Sequence, residues 1–380
     1  MINLINSNKR NILIRCDASD FIGSGHVMRC INLAKELKNS DFQVIFICRN
    51  DENNLIDLIK KDFIVLQLPR IKSQDKQKTS LLSSNQLYEF WLGCSQEDDL
   101  EECLNLLKNY KINKIDWAIV DHYGIDFKWE KLFLKSYTNS KMIVIDDLAN
   151  RSHIADILVD QTYMSFKDPL RYRNLINEKA IKLFGPSYAL LNSSYYKASQ
   201  KKKIKKNNSL KNILVYFGMV DPNGLTYQVI NELKKTRFLN IFIDVVLGKV
   251  TKDSDKIEDL MKERGNCKLH RNLPNLISLM KKADLSIGAV GGTTWERACL
   301  NLPSIVVATA ENQIELAEEL YRDNFHIYLG ETRELTTFSF EKSIDKFMNS
   351  EYKVKNGNLL VDGLGVKRVL NKILNYKNNI

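Results

Sequence analysis

His26 closes a short run, Gly23-Ser24-Gly25-His26, set between the apolar stretch NILIRC (residues 11–16) and a helical pattern. Backbone N–H groups at such a turn favour an anion. An imidazole beside that anion is suited to take a proton near neutral pH. The chemistry implied is a neutral His26 facing a water molecule. A histidine that caps the helix or packs beneath the loop is the alternative; the strand–GxG–helix setting favours the functional reading. The run is not a P-loop, because no Lys-Ser/Thr follows, and Met28 stands where a dinucleotide fingerprint has its third glycine. Arg29, one turn on, is consistent with bracing the loop or with touching ligand.

A second stretch, GAVGGTTWERA (288–298), also follows an apolar run and opens a helix. Its paired glycines, Gly291 and Gly292, let backbone approach closely, and Thr293 and Thr294 can cap the helix or donate to phosphate oxygens. Glu296 fits a first-turn dipole partner, or an acceptor for ribose hydroxyls, which is the reading we favour. AENQ (310–313) places the amides of Asn312 and Gln313 at the end of a further strand, suited to sugar hydroxyls and acetamides, with an N-cap role open to Asn312. Asp121, His122, Asp146, Asp147 and His153 end two earlier strands, but their separations match no helix-based ligand pair such as HExxH. Hydrogen bonding is expected for several of them, with Asp121 and Tyr123 at a cleft edge; neither a metal nor a cofactor is expected.

These loops need elements to hold them. Apolar runs alternate with helical patterns throughout: NILIRC, FQVIFIC, FIVLQL, DWAIVDH and KMIVIDD, then NILVYFG, IFIDVVLG, NCKLH, DLSIGAVGG and PSIVVA. Runs that are apolar along their whole length suit strands buried on both faces, and strand–helix alternation implies doubly wound parallel sheets. The Lys- and Asn-rich stretch 198–211 interrupts the rhythm. The expectation is an α/β chain of two Rossmann-like domains facing across a cleft: residues 1–200, a basic linker 201–211, and residues 212–380 ending in a closing helix. The polar stretch 70–98 reads as a surface insertion or a long loop near the site.

The composition of the 380 residues is that of a soluble globular protein, with 44% hydrophobic and 27% charged residues. No apolar run is long enough to span a bilayer and the N-terminus lacks a signal-peptide core, so the cytoplasm is expected. The seven cysteines form no CxxC pair; Cys16, Cys48 and Cys267 read as reduced thiols in buried strands. The net charge of +10 is partly local, as in KKKIKK (201–206), where no aromatic residues are interleaved. That argues against nucleic acid and for a solvated linker, while the overall charge still attracts a nucleotide diphosphate.

Seven motifs in series resemble one family, the UDP-sugar hydrolases of pseudaminic acid biosynthesis: RCDASDFIGSGHVMRC, DWAIVDHYGID, VIDDLANRSHIADILVDQ, LFGPSYALL, ILVYFGMVDPNGLT, AVGGTTWERACLNLPSIVV with AENQ, and DGLGVKRV. The family is similar to MurG-type glycosyltransferases and shares their GT-B fold. The resemblance implies hydrolysis of UDP-2,4-diacetamido-2,4,6-trideoxy-β-L-altropyranose at its anomeric C–O bond, with inversion and without a metal. It implies that His26 is the base, that Gly291 to Thr294 hold the diphosphate, that Glu296 binds ribose, and that Asn312 and Gln313 lie beside the sugar. The other residues expected to face ligand are Asp17, Gly23, Gly25, Arg29 and Tyr123 in the first domain and Gly218 in the second. One departure stands out: the family's FGG loop here reads Phe217-Gly218-Met219. A glycosyltransferase acting on a lipid or saccharide acceptor, and a non-catalytic nucleotide-sugar binder, are the competing readings.

Overall fold

The computed structural model describes residues 9–70, 84–200, 210–271, 273–336, 339–352 and 354–376. The chain divides into two compact units, Met1–Leu190 with Gly365–Ile380, and Leu191–Leu364.

The first unit is built on β1 (Arg10–Cys16), α1 (Gly25–Lys38), β2 (Phe42–Arg49), α2 (Ile56–Ile59), β3 (Ile64–Leu68), α3 (Ser84–Leu92), α4 (Gln96–Asn109), β4 (Trp117–Asp121), α5 (Phe127–Ser136), β5 (Lys141–Ile145), β6 (Ile157–Asp160), α6 (Tyr163–Lys167) and β7 (Ile181–Phe184). Its seven strands run in the order β3-β2-β1-β4-β5-β6-β7, with every pairing parallel. The side chains of β1 alternate between two cores: Ile12, Ile14 and Cys16 pack on one face of the sheet and Leu13 on the other. A strand covered on both faces needs the continuous apolar run the sequence shows. Helix α1 buries Val27, Cys30, Ile31 and Ala34 at helical spacing.

The second unit holds α7 (Ser193–Ser199), β8 (Asn212–Tyr216), β9 (Val220–Asp221), α8 (Leu225–Glu232), β10 (Phe242–Leu247), β11 (Val250–Thr251), α9 (Ser254–Arg264), β12 (Cys267–Arg271), α10 (Ile277–Lys282), β13 (Leu285–Ala289), α11 (Gly292–Cys299), β14 (Ser304–Ala308), α12 (Ile314–Arg322), β15 (Ile327–Glu331) and α13 (Ser339–Met348). Its main sheet, β12-β10-β8-β13-β14-β15, is again parallel.

In each sheet the order reverses between two central strands, β1 and β4 in the first unit and β8 and β13 in the second. Open α/β sheets bind ligands at the carboxyl ends beside such a reversal. The GSGH and DHYG loops follow β1 and β4; the FGM and GAVGG loops follow β8 and β13.

Four expectations need correction. The last helix, α14 (Gly365–Leu374), does not close the second unit. Its Val366, Val369, Leu370 and Ile373 join the core that lines α1, and Arg368 Nη1 donates to the Ser187 carbonyl at 2.7 Å. A side chain at Gly365 would stand 2.2 Å from the Ala189 carbonyl oxygen, so this docking needs glycine. At the other end, α7 lies before the basic stretch yet belongs to the second unit; linker residues 201–209 fall outside the described residues. Finally, the 70–98 stretch is not simply surface. Although residues 71–83 fall outside the described residues, α3 buries Tyr88 and Trp91. Cys267, expected in a buried strand, is half-buried on the edge strand β12.

Candidate active site

The loop after β1 is tied before the helix starts. Gly23 N–H donates to the Ser19 carbonyl at 2.9 Å, and Ser19 Oγ accepts from the N–H groups of Phe21 and Ile22. Gly23 has φ +75, a region that favours glycine. Ser24 occupies the N-cap without a side-chain cap bond. Among the described residues nothing lies within 4 Å of a Cβ built on Gly23 or Gly25, so these leave the turn open on that side.

His26 follows, 6% exposed. Its Nδ1 lies 2.5 Å from Asp121 Oδ1 at the end of β4. A carboxylate there fixes the proton on Nδ1 and leaves Nε2 as the basic nitrogen. Asp121 also accepts from Arg29 Nε and Nη2, both at 2.7 Å, and from Cys30 Sγ at 3.3 Å. Although burial opposes its ionisation, Arg29 and His26 hold the Asp121 carboxyl well below the usual range. The Tyr123 ring meets the His26 ring edge-on at 4.5 Å, and Trp91 stacks on Tyr123. Tyr123 Oη donates to Asp147 Oδ2 at 2.8 Å, the oxygen that also accepts Arg29 Nη1 at 2.5 Å. Asp121 and the Tyr123 ring thus hold the imidazole, and Asp147 and Trp91 in turn hold Tyr123.

Arg29 braces the loop, one of the two roles expected of it: Nε, Nη1 and Nη2 donate to Asp121 and Asp147. Asp17, expected to face ligand, does not reach the surface. It is fully buried, paired with Arg15 at 2.7 Å, and accepts the Arg49 N–H at 2.7 Å. Asp99 completes this buried network by accepting from Arg15, Arg49 and Trp129 Nε1. Tyr123 is 7% exposed and touches the site through His26.

The other acids and histidines go to separate partners. His122 Nδ1 accepts the Gly124 N–H at 3.0 Å, and burial drives this imidazole down to about 3. His153 pairs with Glu130 at 2.7 Å, and Asp146 with Arg151 at 2.8 Å. Among the described residues no three His, Cys, Asp or Glu side chains gather as a metal would need.

In the second unit, Gly218 has φ +107, and none of the described residues comes within 4 Å of where a side chain would start. Met219 lies in the same loop, half-buried, and its carbonyl oxygen stands 2.2 Å from a Cβ built on Gly248. The Met219 carbonyl also accepts the Val250 N–H at 3.1 Å, so methionine sits in a loop held by its backbone. Gly291 and Gly292, at the start of α11, have nothing among the described residues within 4 Å of a built Cβ. Thr294 Oγ1 accepts the Gly291 N–H at 3.2 Å, closing the turn as a capping residue. Glu296 is half-buried, with the Tyr195 hydroxyl of α7 beside it; burial pushes its carboxyl up to about 7. Asn312 is exposed in the turn before α12. Gln313 Oε1 accepts from Thr309 N and Oγ1 at 2.9 and 3.1 Å, so its carbonyl end braces the loop.

Sequence reasoning named Asp121 and Asp147 without their role as supports of His26, and it missed Trp91. The available signal was that DHYG ends an apolar run, as GSGH follows one.

Two Rossmann-like units with parallel sheets of this order constitute the GT-B fold. MurG from Acinetobacter baumannii superposes with a TM-score of 0.58 over 96% of this chain and 99% of its own, at 13% identity. Among proteins similar in sequence, an uncharacterized protein of Methanocaldococcus jannaschii is 31% identical over 323 residues; the match covers 82% of this chain and spans only 57% of that protein's length. The UDP-2,4-diacetamido-2,4,6-trideoxy-beta-L-altropyranose hydrolase of Campylobacter jejuni is 26% identical over 316 residues, covering 83% of this chain and 98% of that enzyme. No protein-family model matches the chain. Among the described residues no helix is long and apolar enough to cross a membrane.

Proposed function

We propose that this protein hydrolyses a UDP-linked diacetamido-trideoxyhexose, UDP-2,4-diacetamido-2,4,6-trideoxy-β-L-altropyranose, releasing UDP and the free sugar with inversion at C1. The observation that carries the reading is the His26–Asp121 pair, with Nδ1 committed to the carboxylate at 2.5 Å. The named Campylobacter jejuni hydrolase, similar along nearly all of its length, supports the choice of substrate.

In this reading His26 Nε2 removes a proton from water. The water oxygen forms a bond to C1, and the C1–O bond breaks with its electron pair going to the β-phosphate oxygen. Asp121 stabilises the imidazolium that forms, and a base so placed contributes about 10²–10⁴ in rate. UDP leaves without a general acid, so no carboxylate pair of the kind ordinary glycosidases use is required. The Gly292 N–H and the Thr293 and Thr294 hydroxyls take up the charge that develops on the diphosphate. Glu296 in its ionised form accepts from the ribose hydroxyls, while Gly218, Asn312 and Gln313 line the nucleotide and sugar side. The work is expected to take place in the cytoplasm.

The competing reading, transfer to an acceptor, draws on the fold that MurG shares. One experiment separates them. The purified protein is mixed with a panel of UDP-diacetamido-trideoxyhexoses and no acceptor, and the anomeric carbon is followed by NMR. Prompt release of one free sugar in the inverted configuration supports hydrolysis. Release that depends on an added lipid or saccharide supports transfer, and UDP binding without turnover under either condition supports a binding protein.

A further inference from the structure

Beneath the second glycine turn lies a guanidinium that the chemistry above does not use. Arg297 is 2% exposed. Its Nη1 donates to Thr293 Oγ1 at 3.2 Å. Its Nη2 donates to the Ala289 carbonyl at 2.9 Å and to Thr294 Oγ1 at 3.2 Å. Its Nε is buried without a partner among the described residues. A buried arginine ordinarily has a carboxylate partner, as Arg15, Arg29 and Arg49 do in the first unit. The acid whose field reaches Arg297 is its neighbour Glu296, and the two form no ion pair among the described residues.

The hydroxyl hydrogens follow from this. Thr294 Oγ1 has two lone pairs, and the Gly291 N–H and Arg297 Nη2 fill both. Its own hydrogen must therefore donate away from the arginine. Thr293 Oγ1 accepts Nη1 and also keeps its hydrogen to donate. We propose that Arg297 is the positioning residue that makes the Gly291–Thr294 turn an anion-holding site, by turning both threonine hydroxyls into donors and by fixing a positive charge behind them. The ligand class is a diphosphate, and the inference rests on the reading that this unit holds the UDP portion of the substrate. Burial lowers the Arg297 pKa to about 10, so the group is still charged at neutral pH. Buried charge is costly without a counter-charge; a bound diphosphate supplies one.

The test compares UDP with uridine, which shares the base and ribose but not the phosphates. Binding of both to the full chain is measured by titration NMR for wild type, Arg297→Met, Arg297→Lys and Thr293→Val, with circular dichroism to confirm folding. Arg297→Met is expected to weaken UDP by at least about tenfold while uridine stays within about twofold, since charge-assisted hydrogen bonds are lost only toward the phosphates. Arg297→Lys recovers part of the loss. Thr293→Val, which leaves the arginine in place and decides the matter where Arg297→Met does not fold, weakens UDP alone by about threefold or more. Variants that keep the wild-type ratio of UDP to uridine affinity overturn the role given to Arg297. Wild-type protein that binds neither compound refutes the nucleotide reading itself.

Discussion

Asp121→Asn is the perturbation that probes the first unit most sharply. The carboxylate accepts from His26 Nδ1 at 2.5 Å and from two Arg29 nitrogens at 2.7 Å. An amide has one accepting oxygen, and its NH₂ must face a group that donates. Turned toward His26, the NH₂ opposes Arg29 Nη2 and forces the lone pair onto Nδ1 and the proton onto Nε2, so Nε2 no longer serves as a base. The loss in kcat is then close to that of deleting the base, about 10²–10⁴. Turned the other way, the NH₂ opposes Arg29 Nε, while the remaining oxygen still accepts from His26 Nδ1 and Arg29 Nη2; weakening this buried pair costs up to about 3 kcal/mol of stability. The assay is UDP release from the UDP-sugar, run beside a thermal melt and UDP titration. UDP affinity should not change, because the Gly291–Thr294 turn belongs to the other unit. Asp147→Asn is the control: it leaves the His26–Asp121 bond intact and should keep kcat within about tenfold. A folded Asp121→Asn protein with half or more of the wild-type kcat would refute the reasoning.

Other expectations come from buried charge. Partial burial pushes the Glu296 carboxyl up to about 7, and ribose hydroxyls need its carboxylate form. UDP affinity should therefore fall as pH drops from 8 to 6, and Glu296→Gln should flatten that dependence; parallel pH profiles for the two proteins would count against the ribose role. Asp51, at the end of β2, is raised to about 6 by burial and by Asp17. A carboxyl raised on folding binds more protons folded than unfolded, so its contribution to stability is lost as pH rises from about 4 to 6. Asp51→Asn should remove that loss and raise stability at pH 8 by up to about 3 kcal/mol; urea melts at pH 4 and 8 decide, and no gain at pH 8 contradicts it. Asp99→Ala strips the buried partner from Arg15, Arg49 and Trp129 and should cost about 3–5 kcal/mol, read as a fall in Tm; an unchanged Tm would show the network to be dispensable.

Much of this arrangement was legible in the chain, for identifiable reasons. Strands buried on both faces leave continuous apolar runs, so the two parallel sheets could be read. Loops that leave such strands carry the glycines, which is how GSGH and GGTT were found. Strand order is not written locally: Asp121 stands 95 positions from His26, and only the pairing of β1 with β4 brings them together. Asp17 misled because it follows a strand as a site acid would. Its partner was visible as Arg15, a charge inside an apolar run on the same face of β1, which requires a buried carboxylate nearby. The polar stretch 70–98 hid α3, whose Tyr88 and Trp91 are spaced at i, i+3 and pack on Tyr123. The closing helix α14 carries an apolar face, but nothing in its sequence says which unit that face covers.

The central claim is that His26 directs water to the anomeric carbon. Its most direct test is turnover of the UDP-sugar in ¹⁸O-labelled water, without acceptor, by wild-type protein and by His26→Ala. The account predicts rapid wild-type release of UDP carrying no label, with the label in the freed sugar, and a His26→Ala protein that still binds UDP but turns over about 10²–10⁴ times more slowly. Label in the β-phosphate, or undiminished release by the His26→Ala protein, would contradict it.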